Sequence, residues 1–218
     1  MDLQGKKIAF LGDSITEGYG TSSIENVYWK VLERDTGAHC FGYGIGGTRI
    51  AKQHVPSEPT RDRWFASRID EMASEADIVV VYGGVNDFCH GDAPLGICSD
   101  RTENTFYGAL HVLMEKLRNK YPNATIVFIT PFHCRYSEES VTYNSADAPR
   151  FCNLQAYADA IREAADDFSI PVLDMYHSEW MSVGLDLVQQ QYVPDSVHPN
   201  DAGHFKIAGC LHDFLIKL

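Results

Sequence analysis

Short apolar runs punctuate the chain at residues 7–11, 38–43, 77–82, 124–130 and 171–173. They are rich in Ile, Val and Phe and show no alternation with polar residues, which predicts strands buried on both faces. Between them the apolar positions follow a helical period. Phe106, Leu110, Leu113, Met114 and Leu117 form one stripe at three- and four-residue spacing, so a helix is predicted there that ends before Pro122. Further helices are predicted over 26–34, 62–74, 150–167 and 202–217, the last capped by Asn200. Strand and helix therefore alternate from end to end. That pattern predicts an α/β fold with right-handed crossovers: a five-stranded parallel sheet, order 2-1-3-4-5, in a three-layer α/β/α sandwich. The unpatterned stretch 132–149 is too long for an ordinary connection and is expected to form a lid or pocket wall.

At 218 residues the chain is expected to form a single domain over 1–218. Apolar residues at 44% and charged residues at 22% exclude disordered and fibrous classes. The formal charge of -12, with no basic run, argues against nucleic acid as a partner, because such binding relies on Lys and Arg to neutralise phosphates. The N-terminus lacks the apolar core of a signal peptide and no run is long enough to span a bilayer, so a cytoplasmic location is expected. The 6 cysteines are scattered without a CxxC pair and are expected to be mostly buried thiols, with neither a disulfide framework nor a thiolate zinc site.

In an open parallel sheet, ligands collect beyond the carboxyl ends of the strands. Gly12-Asp13-Ser14-Ile15-Thr16 follows the first run, Gly44-Ile45-Gly46-Gly47-Thr48 the second and Gly83-Gly84-Val85-Asn86-Asp87 the third. Asp195-Ser196-Val197-His198-Pro199 precedes the last helix. Ser14, at a strand-to-helix turn, is the candidate nucleophile, helped by the positive end of the helix that follows. A serine hydroxyl needs a base, and His198 is the candidate. Asp195, three residues earlier, can accept a hydrogen bond from the second ring nitrogen and fix the tautomer. Acyl transfer also needs donors for a tetrahedral oxyanion. The amides of Ser14 and Gly47 and the carboxamide of Asn86 are the candidates, with Gly46 as the competing glycine.

These blocks, in this order, resemble the SGNH hydrolases, also called GDSL esterases, over nearly the whole chain. The resemblance maps that family's four named residues onto Ser14, Gly47, Asn86 and His198, with Asp195 completing the triad. It implies a flavodoxin-like sandwich that hydrolyses carboxylic esters with no metal or organic cofactor. Its members include carbohydrate deacetylases, lysophospholipases, thioesterases and arylesterases, so the resemblance leaves the substrate open. Specificity is expected in the segments 18–25, 54–61 and 132–149. The reading preferred is a small ester, with a short acyl group such as acetyl on a carbohydrate, because no apolar stretch marks an acyl tunnel or a membrane-docking helix. Acyl transfer to an alcohol uses the same residues, and a catalytically silent binding domain would keep the same pocket. The GxxxxGK[ST] and GxGxxG fingerprints of nucleotide binders are missing.

The other candidates have plainer readings. Asp13 and Asp87 are expected to hold loop amides. His133 and His90 follow strands and are considered for the pocket, His133 as a substrate-binding residue. His39, His111, His204 and His212 are expected at the surface or in satisfied, partly buried positions. Trp29, Trp64 and Trp180 are expected to pack in the core or at a rim.

Overall fold

The computed structural model describes residues 1–133, 153–178 and 190–218. Every apolar run is a strand: β1 (Lys7–Gly12), β2 (His39–Gly44), β3 (Ile78–Tyr82), β4 (Thr125–Ile129) and β5 (Val172–Leu173). They pair in parallel in the order β2-β1-β3-β4-β5. Among the described residues, the helices that frame the sheet and site are α1 (Ser14–Glu17), α2 (Tyr28–Thr36), α3 (Val85–His90), α4 (Phe106–Lys120), α5 (Leu154–Asp167) and α6 (Asp201–Leu215).

The central strands β1, β3 and β4 lack polar alternation because each face of the sheet there meets its own helical layer. Ala9, Leu11, Val79, Val81, Ile126 and Phe128 point into one core with α4 and α5. Their neighbours Ile8, Phe10, Ile78, Val80, Val127 and Ile129 point into the other, with α2 and α6. Truncating any of the Leu, Ile or Phe residues among these to Ala would cost about 2–5 kcal/mol, since the close-packed interior fills the gap only in part. The expectation of burial on both faces fails at the edges, where pairing and packing are one-sided: β2 is largely exposed and β5 only half-buried. On β2, Gly42 accommodates the Trp29 ring, whose Cζ2 would lie 2.5 Å from an added Cβ.

Several expected boundaries shift. The helix predicted over 26–34 starts at Tyr28, after a 3-10 turn at Ile24–Asn26, because Val27 is extended. The helix predicted over 62–74 is instead two 3-10 turns, Phe65–Ser67 and Ile69–Glu71. This segment is pinned from outside. Arg68, buried between the turns, donates to the carbonyls of Tyr43 and Gly12 and to Thr48 Oγ1, and Ala73 N donates to the Tyr43 hydroxyl. Those tertiary bonds replace the helical ladder the local pattern suggested. Helix α5 starts at Leu154, capped by Asn153, with 150–152 outside the described residues. Helix α6 ends at Leu215, and its predicted cap is present: Asn200 Oδ1 accepts from Gly203 N at 3.1 Å.

Of the cysteines described, only Cys40 is buried; Cys89, Cys98 and Cys210 are partly exposed, which corrects the expectation of mostly buried thiols. The stretch 134–149, expected as a lid or wall, lies outside the described residues, as does Trp180. Trp29 packs as expected, its Nε1 donating to the Thr16 carbonyl, and Trp64 carries Lys52 over its ring. No described helix is long and apolar enough to cross a membrane.

Candidate active site

Ser14 is the first residue of α1, directly beyond β1 and Asp13. The turn is tight: an added Cβ at Gly12 would meet Thr16 Oγ1 at 2.0 Å and the Tyr82 carbonyl at 2.9 Å. Asp13 caps it, Oδ1 accepting from Ile15 N at 3.0 Å, as expected of a residue that shapes a turn. Helix α1 is only 4 residues long, so its dipole is small, and the local amides supply the positive potential in its place. Ser14 is itself nearly buried.

From the far end of the chain, the 195–199 loop brings His198 to this turn. Ser14 Oγ lies 3.0 Å from His198 Nε2, and His198 Nδ1 lies 2.7 Å from Asp195 Oδ2. Asp195 Oδ1 also accepts from the amides of Val197 and His198. Ser196 makes this possible by adopting a φ of 70°, a left-handed conformation that costs a non-glycine residue on the order of 1 kcal/mol. Burial pushes the Asp195 carboxyl up, but the His198 amide and ring and the Val197 amide outweigh it, holding it below the ordinary carboxylate value. An ionised Asp195 keeps Nδ1 protonated and leaves the Nε2 lone pair facing the hydroxyl.

The loops after β2 and β3 close the other side. Asn86, buried on α3, donates through Nδ2 to the Thr48 carbonyl at 3.0 Å and to Asp13 Oδ2 at 3.3 Å. The two candidate glycines differ. Gly46 N donates to Glu17 Oε2 at 2.8 Å, whereas Gly47 N, like Ser14 N, donates to none of the described residues. Gly47 also has a φ of 75°, which suits glycine. Burial, with Asp87 nearby, raises Asp13 to about 7 despite the Ile15 amide. Asp87 is raised by burial to about 6 and receives the amides of Ile50 and Ala51, as its expected structural role requires.

Of the remaining histidines, His133 lies with its ring centroid 3.8 Å from that of Tyr176. His111 is buried on α4, bonded to the Tyr107 carbonyl and Asp167. His204 is buried on α6, its Nδ1 accepting from Tyr28 N. His90 is the one that joins the site: Nε2 meets Asn86 Oδ1 at 2.9 Å, and Nδ1 meets Arg49 Nη2 at 2.8 Å. Its place four residues after Asn86 on one helical face was a readable signal; that buried Arg49 would meet it was not. Glu17 and Arg68 also join the site without a sequence signal, while Thr48 comes from the quoted glycine block and Tyr19 from the 18–25 segment. The Tyr19 ring lies 4.4 Å from that of His198.

An open parallel sheet that gathers a serine, a histidine and a carboxylate beyond its strand ends is an arrangement of hydrolases. The family model of the GDSL-like Lipase/Acylhydrolase family matches residues 10–205, and the chain belongs to that family of ester hydrolases. A solved protein from Lactobacillus plantarum is similar at 30% identity and TM-score 0.83, covering 98% of this chain and 98% of that one. A possible lipase from Chitinophaga pinensis shares the fold at 20% identity and TM-score 0.72, over 97% and 98% of the two chains. An acetyl xylan esterase, AlAXEase, does so at 21% identity and TM-score 0.65, over 95% and 98%. No curated protein matches the chain.

Proposed function

We propose that the protein is a serine esterase acting on small carboxylic esters, with Ser14 as nucleophile, His198 as general base and Asp195 orienting that base. The observation that carries this reading is the continuous chain from Ser14 Oγ through His198 to Asp195, at 3.0 Å and 2.7 Å. His198 Nε2 takes the serine proton as Oγ attacks the ester carbonyl, and Asp195 stabilises the imidazolium. The amides of Ser14 and Gly47 and the Asn86 carboxamide, which turns its 3.3 Å N–H from Asp13 Oδ2 to the substrate, hold the oxyanion. His198 then protonates the leaving alcohol, and water resolves the acyl-enzyme by the same steps reversed. Engagement of Gly46 N by Glu17 supports Gly47 as the glycine donor.

A short acyl group, such as acetyl on a carbohydrate, fits best. Among the described residues, the void beside the turn, lined by Asp13, Ile15, Tyr82, Val85, Phe132 and Val197 among others, has only about 10 Å³ and touches none of Ser14, Gly47, Asn86 and His198, so it offers no acyl tunnel.

The test is turnover of p-nitrophenyl esters from acetate to palmitate by wild type and Ser14→Ala. Turnover by wild type that Ser14→Ala loses by about 10⁴-fold or more is the expected result, with acetate preferred. Equal rates in the two proteins would remove Ser14 as nucleophile, and a preference for palmitate would remove the short-acyl reading.

A further inference from the structure

We infer that His90, held by Arg49, is a positioning residue that sets the orientation of the Asn86 carboxamide; this rests on the esterase reading above, in which that carboxamide is an oxyanion donor. The polarity of every group in the chain follows from its neighbour. The Thr48 carbonyl can only accept, so the amide nitrogen of Asn86, 3.0 Å away, must face it. The carboxamide oxygen therefore faces His90 Nε2 at 2.9 Å, and Nε2 must carry the hydrogen. At the other end a guanidinium can only donate, so His90 Nδ1, 2.8 Å from Arg49 Nη2, must carry the lone pair. One tautomer of neutral His90 satisfies both ends. Either change, the other tautomer or the imidazolium, sets N–H against N–H at Arg49.

Arg49 is fixed in turn. It is 4% exposed and bonded through Nη1 to the Arg61 carbonyl, with Asp62 at 3.5 Å. Buried Asp87, which holds the Ile50 and Ala51 amides, balances its charge. The line Arg49, His90, Asn86 thus runs from a buried cation to the donor and prevents a flip that would aim a carbonyl oxygen at the developing oxyanion. A carboxamide free to flip would present its oxygen for part of the time and lose stabilisation of the transition state while leaving ester binding in place.

The test has two arms. Long-range ¹H–¹⁵N correlation on histidine-labelled protein at neutral pH should show His90 protonated at Nε2 only, with its assignment made by loss of the signals in His90→Gln. Protonation at Nδ1 would overturn the inference whatever the activity. In the kinetic arm, rates are referred to the fraction of sites titrated by a fluorophosphonate. His90→Phe should lower kcat about tenfold or more with KM within about twofold. His90→Gln, which can donate to Asn86 and accept from Arg49, should recover most of the loss. A His90→Phe kcat equal to wild type, in a protein whose Ser14→Ala variant is dead, would sink this inference alone. A live Ser14→Ala variant would sink the esterase reading and leave the tautomer to be judged by the spectrum.

Discussion

The two sides of the site are built differently. On the serine side, Asp13, Ser14, Thr48 and Asn86 are all buried and bonded across three neighbouring strand ends. Arg68 ties the Gly12 and Tyr43 carbonyls from behind. On the histidine side, Asp195 is half exposed and His198 partly so, on a short loop ahead of α6. That loop is anchored by the 19–22 segment: the Tyr19 ring lies against His198, and Asp201 receives Ser22 N and Oγ. Groups that must meet a developing charge without reorganising belong in the dense interior, where their geometry is over-determined. A base that exchanges its proton with departing alcohol and arriving water belongs at a rim. The comparison predicts that the sides fail differently.

The largest effect should come from the rim. His198→Ala is expected to lower kcat by about 10⁴-fold, because no other described side chain hydrogen-bonds Ser14 Oγ, yet to cost only about 1 kcal/mol of stability through the lost contact with Tyr19. Steady-state kinetics with thermal unfolding checks both halves; a mutant that unfolds with its activity would mean that the loop is structural. On the buried side, Asn86→Ala should cost about 10²- to 10³-fold in kcat through loss of one oxyanion donor. It should also lower stability by about 1–3 kcal/mol, because the Thr48 carbonyl and His90 Nε2 lose a partner. Unchanged stability in urea would show that the network carries no structural weight.

This division also explains what could be read from the sequence. Strand positions and the candidate residues Ser14, Asn86, Asp195 and His198 were legible because each lies in a short block whose pattern is local, and strand order followed from the end-to-end alternation of strand and helix. The partners of Arg68 come from three separate segments, Gly12, Tyr43 and Thr48, so local periodicity at 62–74 suggested a helix that tertiary bonds override. The choice between Gly46 and Gly47 was likewise illegible, since it depends on Glu17 reaching across from α1. Rim chemistry is written locally, whereas its buried support is written across the chain.

Gly20 sharpens the comparison where the sides meet. Its φ is 93°, and an added Cβ would lie 2.5 Å from the Pro199 carbonyl. Gly20→Ala should push the His198 loop outward, lowering kcat about tenfold in addition to a strain cost of about 1–2 kcal/mol. Gly5 is the control: its φ is 73°, with nothing within 4 Å of an added Cβ. Gly5→Ala should show the strain and keep kcat. Equal kcat in the two variants would mean that the loop is not held through Gly20.

The smallest effect, and the one that reads burial most directly, is in stability against pH. Burial raises Asp13 to about 7 and Asp87 to about 6, so between roughly pH 4 and 7 the folded state holds protons that the unfolded state has released. Their contribution is full at acid pH and is lost as pH rises through that window. His204 has the opposite sign. Burial lowers it from 6.5 to about 4, so between those values the unfolded state holds the extra proton, and stability is lost as pH falls. The trends oppose each other, but two carboxyls outweigh one imidazole, so wild type should lose stability as pH rises through the window, by at most about 1.4 kcal/mol per pH unit. His204→Gln should make urea stability fall more steeply from pH 4.5 to 7.5, and Asp13→Asn should bring it close to level, each changing the slope by at most about 1.4 kcal/mol per pH unit. The slope is the readout, since a constant loss from disturbed packing shifts each curve without tilting it. Parallel curves for wild type and both variants would mean that these groups do not titrate as buried ones.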